Sequence, residues 1–440
     1  MALSGSTIWE VRTGGSDTNG GGFVAGASGT DWSQQDSPQY SVTDGVTAGS
    51  TTITSATANF GTDVVGNIIY VAGGTGSVTG AWYQIVSRTN STTIVVDRSA
   101  GLTAGTGVTL KIGGALATPG LAGALMAVSG MGCYIKAGTY TLSTATPGSG
   151  GPVGLPNSVA FLYLEGYELT RGDRTGTRPI LSWGAVSAPG AQTFLFSGFI
   201  NQNHVFSNLT ADGNNVANVS GFTFPSPGRV VECVAQNCSQ SGQCGYKSNG
   251  SAHRCSAVNC AIGFDTVLSI LACTATGGSK GFYFYTTIAD CIAYSCSVGF
   301  DPSPTAFMRH CTADSCSTGF NTSNRITYDS CLATNCSTAG FVVSTTTIAL
   351  NCAGYNNLVH YSGTTPLSRG FVTLTADPYV SQSTADYRPN NTAGGGASLR
   401  GGAFPIFGQS ATSDIGAVQH SDPPSSGLLL PIGMLGGFPS

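Results

Sequence analysis

Fourteen cysteines give this 440-residue chain most of its capacity for chemistry, and twelve of them stand in two fixed positions. Seven open a copy of one pattern, a Cys, any residue and usually Ala: Cys233, Cys255, Cys273, Cys291, Cys311, Cys331 and Cys352. Five positions later a second Cys follows in five copies (Cys238, Cys260, Cys296, Cys316, Cys336), while Gly278 and Asn357 hold that place in the other two. Pairs so spaced could ligate zinc, form disulfides or pack as thiols. Zinc is set aside, because the spacing recurs too often and too evenly and no His recurs with it. The five histidines (His204, His253, His310, His360, His420) are scattered singly, so no metal site and no cofactor is read.

Acid–base chemistry has sparse candidates. Asp265 and Asp301 share the position after a Gly-Phe pair, two copies apart, with Tyr283 between them and Asn321 beyond. A glycosidase needs two carboxylates at one of two separations; these would stand about 10 Å apart by strand spacing, slightly long even for an inverting pair. Asp290 and His310 each precede a first Cys, and Asp314 sits inside a copy. Water-exposed turn acids are the simpler reading, so no catalytic residue is assigned and Asp265 and Asp301 remain the candidates. Aromatic alternation in Phe282-Tyr283-Phe284-Tyr285 sends two side chains in and two out. With Tyr246, Tyr294 and Tyr328 on neighbouring copies it outlines an outer strip able to stack on sugar rings, which makes Tyr283, Tyr285, Tyr294 and Tyr328 glycan-contact candidates; packing against a partner chain or loop is the alternative.

What positions these residues is the repeat itself. Successive first cysteines lie 22 residues apart at Cys233–Cys255 and 18 apart at Cys255–Cys273, and the period stays near twenty. With strand-like residues and no helical periodicity, that is a β-solenoid. Coil length varies, which favours a right-handed parallel β-helix over a strict hexapeptide helix. Cys and Ala two apart face the same narrow interior, and Phe264, Phe282, Phe300, Phe320 and Phe341 form a second interior column. Asn237, Asn259, Asn335 and Asn356, with Ser295 and Ser315, precede the second Cys and predict a tight left-handed turn. Coil spacing lies inside the disulfide Cα window, yet a ladder of buried thiols is the preferred reading.

Only 9% of residues are charged, the net charge is −4 and Gly numbers 63. The composition is too apolar for disorder, and four lysines make no basic patch for nucleic acid. Met1–Glu10 shows no signal peptide, and no apolar run is long enough to span a membrane. Synthesis in a cytoplasm is therefore expected, where thiols stay reduced.

Three regions are expected. Residues 1–115 form a β-rich anchoring or capping domain, with short strands at Thr51–Ser55, Asn67–Ala72, Ala81–Ser87, Thr92–Asp97 and Gly107–Ile112, and with Trp9, Trp32 and Trp82 suggesting a core of its own. Residues 116–360 form the β-helix, entered by a short capping helix at Pro119–Val128. Residues 361–440 close it and end in an apolar tail, Leu428–Leu435. The segment Gly132-Cys133-Tyr134-Ile135-Lys136-Ala137-Gly138-Thr139-Tyr140 after that helix resembles the entry to pectin-lyase-like right-handed β-helix proteins. The ending Asp377-Pro378-Tyr379-Val380, Asp386-Tyr387-Arg388 and Asp414-Ile415-Gly416-Ala417 is similar to the close of many bacterial and phage β-helices. The opening Trp9-Glu10-Val11-Arg12-Thr13-Gly14-Gly15-Ser16-Asp17 resembles phage-encoded β-helix proteins of unassigned role.

That resemblance implies two function classes. One is a structural or adhesive virion protein of a tailed phage (fibre, tailspike-like or head decoration). It would be non-catalytic and self-assembling, a homotrimer by preference, made in the host cytoplasm and carried on the particle. Other virion proteins would meet the N-terminal domain or the C-terminal tail, and a cell-surface glycan is a further partner. The other class is a polysaccharide-cleaving lyase or glycosidase, although no Asp cluster of the calcium-dependent lyase sort, with Lys or Arg beside it, is visible in the sequence.

Overall fold

The computed structural model of the chain describes residues 3–99, 101–142, 153–156, 159–174, 176–184, 193–197, 202–224, 227–284, 286–303, 306–322, 325–364, 366–403 and 413–419. Three sheets of thirteen, eleven and ten strands, parallel but for the edge strand Gly22–Val24 of the first, run along one axis, and the chain visits them in turn. Ser269–Leu271 lies in the first sheet, Thr274–Thr276 in the second and Lys280–Phe284 in the third. Thr287–Ala289 then returns to the first sheet, in register beside Ser269–Leu271. A strand that crosses over to a parallel neighbour does so right-handedly, and the body is a right-handed parallel β-helix.

Single left-handed residues make two of the three corners. Before the second Cys they are Asn237, Asn259, Ser295, Ser315, Asn335 and Asn356, with φ of 48–55°, the geometry their residue types predict. The corner before the first Cys is built the same way from Glu232, Arg254, Ala272, Asp290, His310, Ser330 and Asn351, with φ of 48–57°. These mixed types carry no turn signal. Left-handed geometry costs a non-glycine residue about 1–2 kcal/mol, and the buried thiol that follows helps offset it. Cys255 Sγ donates to the carbonyls of His253 (3.3 Å) and Val230 (3.4 Å), and Cys273 Sγ to those of Leu271 (3.3 Å) and Ala252 (3.4 Å). Each thiol thus adds a second donor to a corner carbonyl that already accepts a backbone N–H from the preceding coil, His253 O from Glu232 N at 2.9 Å and Leu271 O from Arg254 N at 3.0 Å. All fourteen are free and buried, and burial pushes the Cys244 and Cys336 thiols up to about 12.

Inside, an Ala column in exact register (Ala235, Ala257, Ala275, Ala293, Ala313, Ala333) keeps the body narrow. Opposite it the aromatic column stacks face to face: Phe264–Phe282, Phe282–Phe300 and Phe300–Phe320 have centroids 4.8, 4.9 and 4.8 Å apart and planes within 8°. The glycine before each Phe is sterically required. A Cβ on Gly281 would lie 2.6 Å from the Gly299 carbonyl oxygen and 3.2 Å from Ala293 Cβ.

The N-terminal region holds a closed antiparallel barrel of six strands: Tyr40–Ala48, Thr52–Thr54, Ile68–Gly73, Val78–Asn90, Thr93–Val96 and Ala104–Ile112. Five overlap the expected strands. Tyr40–Ala48 was hidden by its Gly, Asp and Thr content, and it alternates toward solvent over much of its length. Trp9 is a correction: it lies in the β-helix core, not the barrel core. Its strand, Thr7–Val11, pairs in parallel with Gly132–Lys136 in the first sheet, so the barrel is inserted after the β-helix has begun. The helix Pro119–Leu125 covers that end of the stack, with Ala122 and Met126 buried in the main core.

At the far end Tyr361 tilts out of the aromatic stack and Phe371 sets its edge against Phe341. The chain then folds back. Leu374, Tyr379, Tyr387, Leu399 and Ile415 pack with Leu332 and Ala353 over the second sheet. The apolar tail Leu428–Leu435 lies outside the described residues. No helix among the described residues is long and apolar enough to cross a membrane.

Candidate functional site

The third sheet carries the sequence-derived acids. Its pairing places Lys247 beside Asp265, Asp265 beside Tyr283, and Tyr283 beside Asp301. Alternation explains the row: each residue follows a member of the interior stack (Tyr246, Phe264, Phe282, Phe300) and therefore points outward. The stack beneath sets the spacing, one side chain per coil, so Asp265 and Asp301 stand about two strand spacings apart, about 10 Å.

Both acids are neutralised. Lys280 Nζ lies 2.6 Å from Asp301 Oδ2 and 4.6 Å from the centre of the Tyr283 ring. Asn321 Nδ2 donates to Asp301 Oδ1 at 2.9 Å. Lys247 Nζ is 3.6 Å from Asp265 Oδ2. Asp265 is 9% exposed, and burial raises its carboxyl pKa above the usual range while Lys247 opposes the rise. Two of the chain's four lysines thus accompany the two acids, a pairing that the sequence reading did not anticipate. The signal was present: Gly245-Tyr246-Lys247 repeats Gly263-Phe264-Asp265 with Tyr in the aromatic place.

The aromatic candidates do not form one strip. Tyr328 is buried at the middle of Thr327–Asp329, and packs edge-on against Phe320 and Phe341 at 5.5 and 5.6 Å. The middle residues of Ser251–His253, Ser269–Leu271, Thr287–Ala289 and Phe307–Arg309 are buried in the same way, so Tyr328 cannot touch a glycan. Tyr246 belongs to the interior stack, 4.6 Å from Phe264, and its hydroxyl donates to the Cys233 carbonyl at 2.7 Å. Tyr294 is half-buried on the second sheet against Tyr387 of the returning segment. Tyr285 lies outside the described residues. Tyr283 alone keeps an outward position on the row.

The remaining acids have structural places. Asp290 Oδ1 lies 3.5 Å from His310 Nδ1 along the first corner. Asp314 is buried beneath the returning segment. Its Oδ1 accepts from Thr334 Oγ1 (2.7 Å) and Asn335 Nδ2 (2.9 Å), and its Oδ2 from Gln382 Nε2 (2.7 Å) and Tyr387 Oη (3.2 Å). His204 pairs with Gln202 Oε1 at 2.6 Å, and burial lowers its pKa to about 4. Among the described residues no group of three His, Cys, Asp or Glu side chains could hold a metal.

No family model and no curated protein matches the sequence. Solved β-helix structures do resemble the chain. Geobacillus virus E2 ORF18 aligns with a TM-score of 0.39 at 11% identity, over 56% of this chain and 52% of that one. Pectate lyase Pel9A aligns at 0.41 and 13%, over 70% and 92%. The A-module of the Azotobacter vinelandii mannuronan C-5 epimerase AlgE4 aligns at 0.22 and 11%, over 55% and 82%. The chain spans about half the length of the viral protein, and likenesses this distant assign no residue a role.

Proposed function

We propose that this chain is a non-catalytic structural or adhesive protein of a tailed-phage virion, a fibre, tailspike-like or head-decoration component that assembles with copies of itself. The single observation that supports the non-catalytic reading is the state of the outer row. Asp301 is tied to Lys280 and Asn321, and Asp265 faces Lys247; two strand spacings, about 10 Å, put the pair at the long edge of the inverting range. The virion assignment rests on the resemblance of the opening and closing segments to phage β-helices. Purified protein incubated with polysaccharides of candidate host cells should release no reducing ends and no unsaturated products, and antibody to it should label intact particles. Native mass measurement should return an oligomer; a monomer at micromolar concentration would remove the self-assembly.

A second reading, a polysaccharide-degrading enzyme, is favoured by one feature: the row sets two acids, two lysines and a tyrosine on adjacent coils, and the raised Asp265 carboxyl would suit a general acid. Cleavage abolished by Asp265→Asn or Asp301→Asn would establish it.

A further inference from the structure

Two departures from the repeat meet in one place. Among the coils opened by the repeat's first Cys, the one after Cys233 is the longest, and its extra residues form a loop, Ser239–Gly242, between Val234–Gln236 and Cys244–Lys247. Two coils on, Gly277 and Gly278 stand where other coils carry Asn or Ser and then, in all but the last, Cys. Both have positive φ, 74° and 91°. A Cβ on Gly278 would lie 1.8 Å from the Cys260 carbonyl oxygen, so here the backbone settles onto the coil below as no Cys-bearing corner can. The loop and this settled corner both line one open groove of about 720 Å³ at the junction of the second and third sheets.

The polar lining is all amide and hydroxyl: Asn215, Asn237 and Asn259, with Ser239, Ser241 and Ser279. Ile262 adds an apolar patch, and no charged side chain lines the groove. Part of this lining is already fixed, since Asn237 Nδ2 donates to Asp212 Oδ1 at 3.1 Å and Ser239 Oγ to Asn215 Oδ1 at 2.8 Å. The Asn259 and Ser241 side chains are exposed and line the groove.

We infer that this groove binds a neutral oligosaccharide. Fixed amides and hydroxyls match sugar hydroxyls in donor and acceptor capacity. The absence of a cation from the lining removes the recognition element that phosphate, uronate or nucleic acid would need, and Ile262 offers contact for the C–H face of a ring. The groove is distinct from the Lys247–Asp301 row, and the inference stands whether or not the protein belongs to a virion.

The test uses the full chain and ligand-observed NMR with a panel of neutral oligosaccharides (α-glucan, β-glucan, mannan and galactan heptamers), alongside oligogalacturonate and a Gly/Ser peptide. At least one neutral heptamer should bind. Ser241→Trp, an exposed loop change that fills the groove, should weaken that binding at least about tenfold with an unchanged melting temperature. Asn259→Ala should weaken it too, while Leu358→Ser, a change at an exposed residue several coils away, should not. Binding by none of the neutral heptamers, binding insensitive to both groove variants, or preference for oligogalacturonate or the peptide would overturn the inference.

Discussion

Gln382 Nε2 donates to Asp314 Oδ2 at 2.7 Å across 68 residues of chain, and this bond ties the returning C-terminal segment to the second sheet. Tyr387, Thr334 and Asn335 complete a carboxylate held by neutral donors alone. Asp314→Ala removes the acceptor these four donors share, leaving Gln382 only Ser315 Oγ and Thr334 only the Tyr379 hydroxyl, and should cost about 2–3 kcal/mol, with Gln382→Ala nearer 1 kcal/mol. Denaturant titration measures both. Limited proteolysis between Leu374 and Ala403 should accelerate in Asp314→Ala before the β-helix itself is cut. Equal protease resistance would mean that the segment is held by its apolar contacts and not by the carboxylate.

The thiol ladder predicts unequal reactivity. Its groups are buried, and burial holds Cys233, Cys255, Cys273, Cys331 and Cys352 far from the thiolate that reacts. In the native state an aromatic disulfide reagent should label few of the fourteen cysteines within minutes. In denaturant it should label all of them. Rapid native labelling of most would sink the ladder.

Phe300 is stacked on both faces, by Phe282 and Phe320, whereas beyond Phe341 comes the tilted Tyr361. Phe300→Ala should therefore cost about 3–5 kcal/mol. Phe341→Ala should cost less, because its last neighbour can move into the space. Equal and negligible losses in urea titration would contradict the packing.

Much of this body was legible because a solenoid writes its geometry into one repeated register. Cys at two corners, Ala between them and Phe after Gly each point to one place in the coil, and the structure puts them there. Tyr328 escaped because its strand has only three residues, too few for alternation to show which way the middle one faces. Lys247 escaped because Tyr246 replaced Phe and masked the match with Asp265. Corner residues such as Arg254 and His310 take left-handed geometry from their neighbours, and nothing in their own chemistry announces it. The contacts of Asp314 with Gln382 and Tyr387 depend on where the chain lands after leaving the repeat, which no periodicity encodes.

His204 gives the fold a pH dependence of known sign. Its folded pKa, about 4, lies below the unfolded value of about 6.5. The unfolded chain therefore takes up a proton first as pH falls. Stability is full above about pH 6.5, declines down to about pH 4 and levels off there, with a slope approaching 1.4 kcal/mol per pH unit inside that window. His253 and His360 are lowered as well and add to the slope. Thermal melts from pH 7 to pH 4 should show the decline, and His204→Gln should flatten it in part. A wild-type melting temperature constant over that range would contradict the burial of neutral His204.

Arg171 joins the barrel region to the first coils. It donates from Nε to Glu10 Oε2, from Nη1 to Asp31 Oδ2 and from Nη2 to Ser33 Oγ, each at 2.8 Å. Glu10 is fully buried, so its charge depends on partners. Arg12 Nε, at 2.9 Å from Oε1, and the Tyr167 hydroxyl remain when Arg171 is removed. Breaking a buried pair outright costs about 3–5 kcal/mol; with Arg12 in place, Arg171→Ala should fall near the lower bound, about 3 kcal/mol. The double variant Arg171→Met with Glu10→Gln removes the buried charge together with its partner and should recover part of that loss. A double variant no more stable than Arg171→Ala would show that the guanidinium acts by bridging Asp31 and Ser33 to the β-helix and not by neutralising Glu10.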